Sequence, residues 1–396
     1  MRIGLLLEYL RDEAADLARH LWLNRALVFG MATAAVLAAG LTIWSGIYDV
    51  AASKGHWRPV GAILNYGMRQ SIATHSTGHR PPPLDDAALV RRGAGHFQGG
   101  CAPCHGAPGR PPNPVTRRMV PAPPELAPHI ADWQTQELFQ LVMHGIKYTG
   151  MPAWPAAARP DEAWAVVAFL RSLPGLDEAA YRELAFGEMA PERAQAASDA
   201  GLLLRNGPLD EGIAGCGRCH GRSGQGDAEG AFPRLAGQSE AYLLDALRAF
   251  ADGSRPSGIM GPVAAELTPP EMAALARHYA SQPTPAAMHL ESERLERGRE
   301  IATTGLPGRG VAACGSCHDG GNPRYPRLAG QHHRYLQEQL TLWMQGVRTG
   351  DGASDLAWLM GRAVGGRYGP DEGLWPLSPE DIRAVAAWYA SQENVP

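Results

Sequence analysis

From Ala26 to Tyr48 the chain carries no charged side chain, an apolar run of 23 residues. As a helix it would span roughly 34 Å, enough for the hydrocarbon core of a bilayer. Trp22 stands at one end, and Trp44 and Tyr48 stand at the other, where an aromatic belt would place them. A cleaved signal peptide is the rival reading. The preceding 25 residues argue against it, because they include Glu8, Asp12, Glu13 and Asp16. The run also exceeds a typical signal core. No Cys closely follows it, which excludes lipoprotein processing. The pattern therefore predicts an uncleaved transmembrane helix over 26–48. Ahead of it, Leu5, Leu6, Leu10, Ala14, Leu17 and Leu21 recur at helical spacing. They predict an amphipathic segment at the cytoplasmic interface over 1–25. Arg2, Arg11, Arg19 and Arg25 precede the span, and Lys54, Arg58 and Arg69 follow it. The positive-inside rule thus leans only slightly to a cytoplasmic N-terminus.

Residues 49–83 form a juxtamembrane connector that ends in the stiff Pro81-Pro82-Pro83. Within it, Trp57, Val60, Ile63, Leu64 and Met68 fit either a second helix or a plain link. Three helical domains are expected beyond, over 84–175, 192–283 and 290–393. In the first, Leu89, Gly93 and Phe97 mark one helix. Trp164, Val167 and Leu170 mark another, starting at Asp161 and stopped by Leu173-Pro174-Gly175. The second and third are repeats. Pro233-Arg234-Leu235-Ala236-Gly237-Gln238 recurs as Pro326-Arg327-Leu328-Ala329-Gly330-Gln331, and Tyr242-Leu243 recurs as Tyr335-Leu336. Each closes on a capped helix, one opening at Thr268-Pro269-Pro270-Glu271 and the other at Ser378-Pro379-Glu380-Asp381. Pro283-Thr284-Pro285 joins the two. No strand alternation of any length appears, so the fold class is all-α.

Composition adds bounds. The 396 residues exceed one small domain. An apolar content of 45% suits a folded chain. The 33 Pro and 47 Gly favour short helices joined by irregular loops. A net charge of −4 gives no nucleic-acid signal.

The chemistry lies in one pattern repeated three times: Cys101-Ala-Pro-Cys104-His105, Cys216-Gly-Arg-Cys219-His220 and Cys314-Gly-Ser-Cys317-His318. C-x-x-C-H is the attachment signature of haem c, with both thiols forming thioethers and the His placed to ligate iron. The motifs consume all six Cys. Structural zinc would need further ligands for each widely separated motif. A redox dithiol would need a βαβ context. Both fit poorly, and three covalent haem c groups are expected.

A second axial ligand is expected on each iron, because His/Met pairing suits electron transfer at raised potential. Met151 in Gly150-Met151-Pro152-Ala153-Trp154 is the first candidate, with His144 its competitor. Met260 in Ser257-Gly258-Ile259-Met260-Gly261-Pro262 is the second, expected in a loop before the final helix. Met360 aligns with Met260 and is the third. Its competitors are Met344, His332 and His333, and a Gly-rich insertion from Gly365 to Trp375 follows it. A ligating His donates its other ring N–H to a carbonyl, which Pro233, Pro326 and Pro124 are placed to offer. Leu126, Leu235 and Leu328 would pack on the haem face. Arg234 and Arg327 either pair with haem propionates or are solvated.

With C-x-x-C-H, a Pro-x-Leu segment, a loop Met and a closing helix, each domain resembles class I cytochrome c. Residues from about 195 to 392 resemble two-domain bacterial periplasmic cytochromes of that class. The whole resembles tri-haem membrane-anchored cytochromes of proteobacterial respiratory chains. The resemblance implies three tandem class I domains after an N-terminal transmembrane helix, with the haem domains in the periplasm and the span in the inner membrane. It implies electron transfer rather than enzyme catalysis, toward a membrane terminal oxidase and in company with other cytochromes. A cytochrome subunit of a membrane-bound alcohol or sugar dehydrogenase is the alternative. That family is exported with a cleaved signal and attached near its C-terminus, whereas this chain has an N-terminal span and ends at Pro396. A multi-haem peroxidase would need one open iron site, for which only the insertion after Met360 leaves room.

Overall fold

The computed structural model describes residues 2–189, 209–290, 293–319, 321–348, 355–365 and 376–393. The chain divides into two compact units, Met1–Trp57 and Arg58–Pro396. Among the described residues the structure is all-α, relieved only by the isolated bridges Ala107–Arg110 and Leu306–Val311. The start of the second expected domain, much of the Gly365–Trp375 insertion and part of the link near 291 fall outside the described residues.

The first unit is built on α1 (Arg2–Ser45). The expected interfacial segment and the apolar run thus form one continuous helix. Its stretch Asn24–Ser45 has a mean hydropathy of 2.1 and buries nothing, so by length and composition it suffices to cross a membrane. Gly46 adopts φ 66°, which ends the helix ahead of Tyr48. Tyr48 then stacks edge-on against Trp57, with ring centroids 5.0 Å apart.

The second unit opens with α2 (Arg58–His75), so the ambiguous stretch after the apolar run is a helix. It buries Ile72 and lays the Arg69 guanidinium over Trp133, 4.6 Å from the ring centroid. Around the first motif run α3 (Ala87–His96), α4 (Ala102–His105), α5 (Thr135–His144), α6 (Pro160–Ser172) and α7 (Glu178–Phe186). The Asp86 side chain caps α3 by accepting from the Ala88 N–H. Phe97, Phe139, Trp164, Phe169 and Tyr181 form the core. Gly93 lets α3 touch α6: a Cβ there would lie 2.0 Å from the Ala165 carbonyl oxygen.

The second motif region holds α8 (Leu209–His220), α9 (Glu240–Ala251), α10 (Met260–Ala265) and α11 (Pro269–Ala280). The third holds α12 (Glu293–Thr303), α13 (Gly315–His318), α14 (His333–Met344), α15 (Asp355–Gly365) and α16 (Pro379–Ala390). Capping boxes Thr268/Glu271 and Ser378/Asp381 start α11 and α16, as their sequences predict. Gly298 on α12 repeats the role of Gly93, since a Cβ there would sit 2.2 Å from the Ala384 carbonyl oxygen of α16.

The repeated Pro-Arg-Leu-Ala-Gly-Gln segments clamp the second and third regions together reciprocally. Gln238 donates to Arg327 O (2.7 Å) and accepts from Arg327 N (3.0 Å). Gln331 donates to Arg234 O (2.8 Å) and accepts from Arg234 N (2.9 Å). The first region closes on both others. Arg92 donates to Ala231 O of the second (3.1 Å) and to Glu338 of the third (2.6 Å). Arg159 reaches Pro256 O of the second (3.1 Å) and Glu338 of the third (2.9 Å).

Candidate functional site

Each C-x-x-C-H motif ends a helix or forms a single turn, α4, α8 or α13, which sets its two thiols and its imidazole on one local turn. The three histidines share one geometry. His105 Nδ1 lies 2.8 Å from Pro124 O, His220 Nδ1 2.9 Å from Pro233 O, and His318 Nδ1 2.8 Å from Pro326 O. A carbonyl can only accept, so each Nδ1 carries the proton and each Nε2 keeps its lone pair. Burial holds all three imidazoles below their ordinary pKa, which keeps them neutral. The three carbonyls are the ones the sequence offers for this role.

Burial also pushes the Cys101 thiol up to about 12 and the Cys216 and Cys314 thiols up to about 11. Among the described residues no cluster of three or more His, Cys, Asp or Glu is poised for a metal ion. A fixed Nε2 lone pair beside two thiols is the donor set of haem c, and the residues fit that group.

The methionines sit in unlike surroundings. Met151 lies in an irregular segment, its N–H bound to Thr149 Oγ1 (3.1 Å) and its carbonyl accepting from Ile146 N (3.2 Å). Met260 is not in a loop but is the first residue of α10. Met360 lies inside α15, partly buried against the third core. Loop placement therefore holds for Met151 alone. Met260 thus opens a helix of 6 residues that buries Ala264, and Met360 stands in one of 11 residues. Of the competitors, His144 is exposed at the end of α5, Met344 is a core residue, and His333 lies near Gln337. His332 is buried against Gly226 and Gly230 of the second region, and both its ring nitrogens lack partners.

Arg234 and Arg327 are partly buried and bind backbone through one nitrogen each, while Arg234 Nε is buried without a partner. Arg234 Nη1 donates to Ala286 O (2.9 Å) and to Gly330 O, and Arg327 Nη1 donates to Gly237 O (3.1 Å). Sequence reasoning overlooked a more telling pair, Arg255 and Arg348. Each stands 22 residues after its repeat's Pro, each follows a Gly at positive φ (Gly253, Gly346), and each covers an aromatic ring at 4.4 Å (Phe250, Trp343). Arg255 Nη2 bonds Tyr335 Oη (2.7 Å) and Gln339 Oε1 (3.0 Å), and Arg348 Nη1 bonds the same Gln339 oxygen (2.8 Å). Among the described residues neither guanidinium has a carboxylate partner. Burial and the nearby Arg255 push Arg348 down to about 9. The two guanidinium groups share the Gln339 oxygen, and Tyr335 and Tyr242 also stand beside Arg255. Repeat alignment, which places Arg255 on Arg348, carried the signal.

At the first–second junction Glu162 is buried, 2% exposed. It accepts from Ser257 Oγ (2.6 Å), Gly258 N (2.6 Å) and Trp154 Nε1 (3.2 Å), and it faces Arg159 Nη1 at 3.0 Å.

Residues 88–170 match the family "Cytochrome C oxidase, cbb3-type, subunit III", and residues 213–282 match "Cytochrome c". A thiosulfate dehydrogenase electron acceptor from Thiomonas intermedia is 38% identical over 190 residues, which is 46% of this chain and 81% of that protein. Cytochrome c4 from Azotobacter vinelandii is 32% identical over 187 residues, 44% of this chain and 82% of that protein. Reduced cytochrome c4 from Pseudomonas stutzeri, a solved structure, aligns with a TM-score of 0.39 at 30% identity, over 47% of this chain and 97% of that one.

Proposed function

The chain belongs to the c-type cytochromes of the cytochrome c4 kind, and from that premise we propose that it is a membrane-tethered tri-haem electron carrier of a bacterial respiratory chain. The observation that carries this reading is the threefold repetition of an imidazole whose Nδ1 is fixed on a proline carbonyl beside two thiols. Cys101/Cys104, Cys216/Cys219 and Cys314/Cys317 would hold three haem groups through thioethers. His105, His220 and His318 would ligate the irons on one side, and Met151, Met260 and Met360 on the other. Bound haem supplies an iron that cycles between two oxidation states. The proline carbonyls that hold His105, His220 and His318 would fix the ligating imidazoles so that little reorganises on reduction. On this reading three domains follow an N-terminal span, and the haem regions lie in the periplasm.

A tether suits delivery to a terminal oxidase in the same membrane, because it raises local concentration. A second reading concerns the electron source. The likeness to proteins named as thiosulfate dehydrogenase electron acceptors favours a periplasmic dehydrogenase as donor. Stopped-flow mixing with reduced thiosulfate dehydrogenase should then reduce the purified protein within milliseconds to seconds. Rates no faster than those with an unrelated reductase would remove that reading.

Intact mass spectrometry should give the polypeptide plus three haems, with a haem-stained band on denaturing gels. A mass corresponding to one or two haems would contradict the three-site proposal. The tether has its own test. Replacing residues 1–50 with a cleavable export signal should yield soluble protein that keeps its haems. Continued partitioning with membranes would show that α2, with Ile63, Leu64 and Tyr66 exposed, or the haem regions bind lipid themselves.

A further inference from the structure

We infer that Glu162, a side chain of the first region, is the positioning residue for Met260 of the second. The inference rests on the proposal that Met260 ligates the second iron. The carboxylate and its neighbours grip the chain just ahead of that methionine at successive residues. Arg159 Nη1 binds Pro256 O (3.1 Å), Glu162 Oε1 accepts from Ser257 Oγ (2.6 Å), and Glu162 Oε2 accepts from Gly258 N (2.6 Å). The grip is then passed on. Ser257 Oγ accepts from Ile259 N (3.2 Å) and from Met260 N (2.9 Å). One hydroxyl thus connects the buried carboxylate to the backbone of the candidate ligand.

Steric contact reinforces the polar one. Trp154 fills the space beside Gly258, where a Cβ would lie 2.2 Å from the indole nitrogen, and the same nitrogen donates to Glu162. Glu162 and Ser257 are 2% and 8% exposed, so water does not compete for these bonds. The other two methionines are held differently. Met151 is fixed by Thr149 and Ile146 of its own region, and Met360 lies within its own helix. The second methionine is therefore set from outside its region, and docking of the first region fixes where its sulfur lies.

The test uses full-length, haem-loaded protein and two readouts: the far-red iron–sulfur charge-transfer band and a redox titration resolving the haems. Glu162→Gln keeps shape but cannot accept from both Ser257 and Gly258. Ser257→Ala breaks the relay from the second region's side. Each should remove about a third of the band, the share of one haem in three, and lower the potential of the same haem that Met260→Ala affects. The haem of the first region, where Glu162 resides, should keep its potential. The double variant should lose no more than either single one, because both cut one path. Arg91→Ala removes a different first–second contact, to Asp227 and Glu229, and should leave the band intact. An equal loss in Arg91→Ala would overturn the inference in favour of general docking. A normal band in Ser257→Ala would overturn it outright, including the case where Glu162→Gln fails to fold. Should Met260→Ala itself leave spectrum and potential unchanged, the ligand assignment fails and this inference goes with it. Met260→Ala altered with Glu162→Gln and Ser257→Ala normal defeats the inference alone.

Discussion

Valine at position 298 should prevent the third region from closing, and the protein should then carry two haems instead of three. Gly298 is where α12 crosses α16. A Cβ there meets the Ala384 carbonyl oxygen at 2.2 Å and Trp388 Cβ at 2.6 Å. Overpacking costs about 1–3 kcal/mol when flexible side chains can give way. Here the obstruction is helical backbone, so the helices must separate and expose Ile301, Val385 and Tyr389, which are buried beside the crossing. That loss approaches the whole stability of a domain, about 5–15 kcal/mol. Intact mass would read the missing haem, and circular dichroism would read the missing helix. Gly93→Val should do the same to the first region through Ala165. Gly308→Ala is the control, since nothing lies within 4 Å of its added Cβ. A Gly298→Val protein with three haems and wild-type melting would defeat the argument.

Met360→Ala should lower the potential of one haem by a few tenths of a volt, a fraction of the roughly 0.8 V that axial ligands span. It should also erase that haem's iron–sulfur band. The other two haems should be unaffected, because Met360 packs against the third core. Met344→Ala offers the contrast. Met344 is buried in the same core at 8% exposure, so truncation should cost about 2–5 kcal/mol of stability and leave the potential near its original value. A potential shift in His333→Ala with none in Met360→Ala would assign the third iron to two imidazoles. No shift in either would leave an open coordination position and call for a peroxidase assay.

These contrasts show what a one-dimensional reading reaches. Local chemistry was legible: the C-x-x-C-H motifs, the proline carbonyls that hold the imidazoles, and the capped starts of α11 and α16 all depend on residues close in sequence. The role of Gly93 was half legible, since its helix was expected but its contact with Ala165 depends on packing. The surroundings of Met260 were misread, because flanking Gly and Pro suggested a loop where the chain starts α10. The repeated Pro-Arg-Leu-Ala-Gly-Gln was visible as a repeat. That Gln238 and Gln331 tie each copy to the other is visible only when the two copies face each other. Glu162 carried no signal at all, because its partners Ser257 and Gly258 lie 95 and 96 residues away.

The ribosome meets these partners in a fixed order. Arg159 is made 179 residues before Glu338, a delay of about 10–40 s at common rates of synthesis. Arg92 waits longer, across 246 residues. Through that interval the first region can complete its own core, but its two cations have no acid from the far end of the chain. The carboxylate that joins them arrives with α14, so the final closure of the whole assembly is timed by its last-born region.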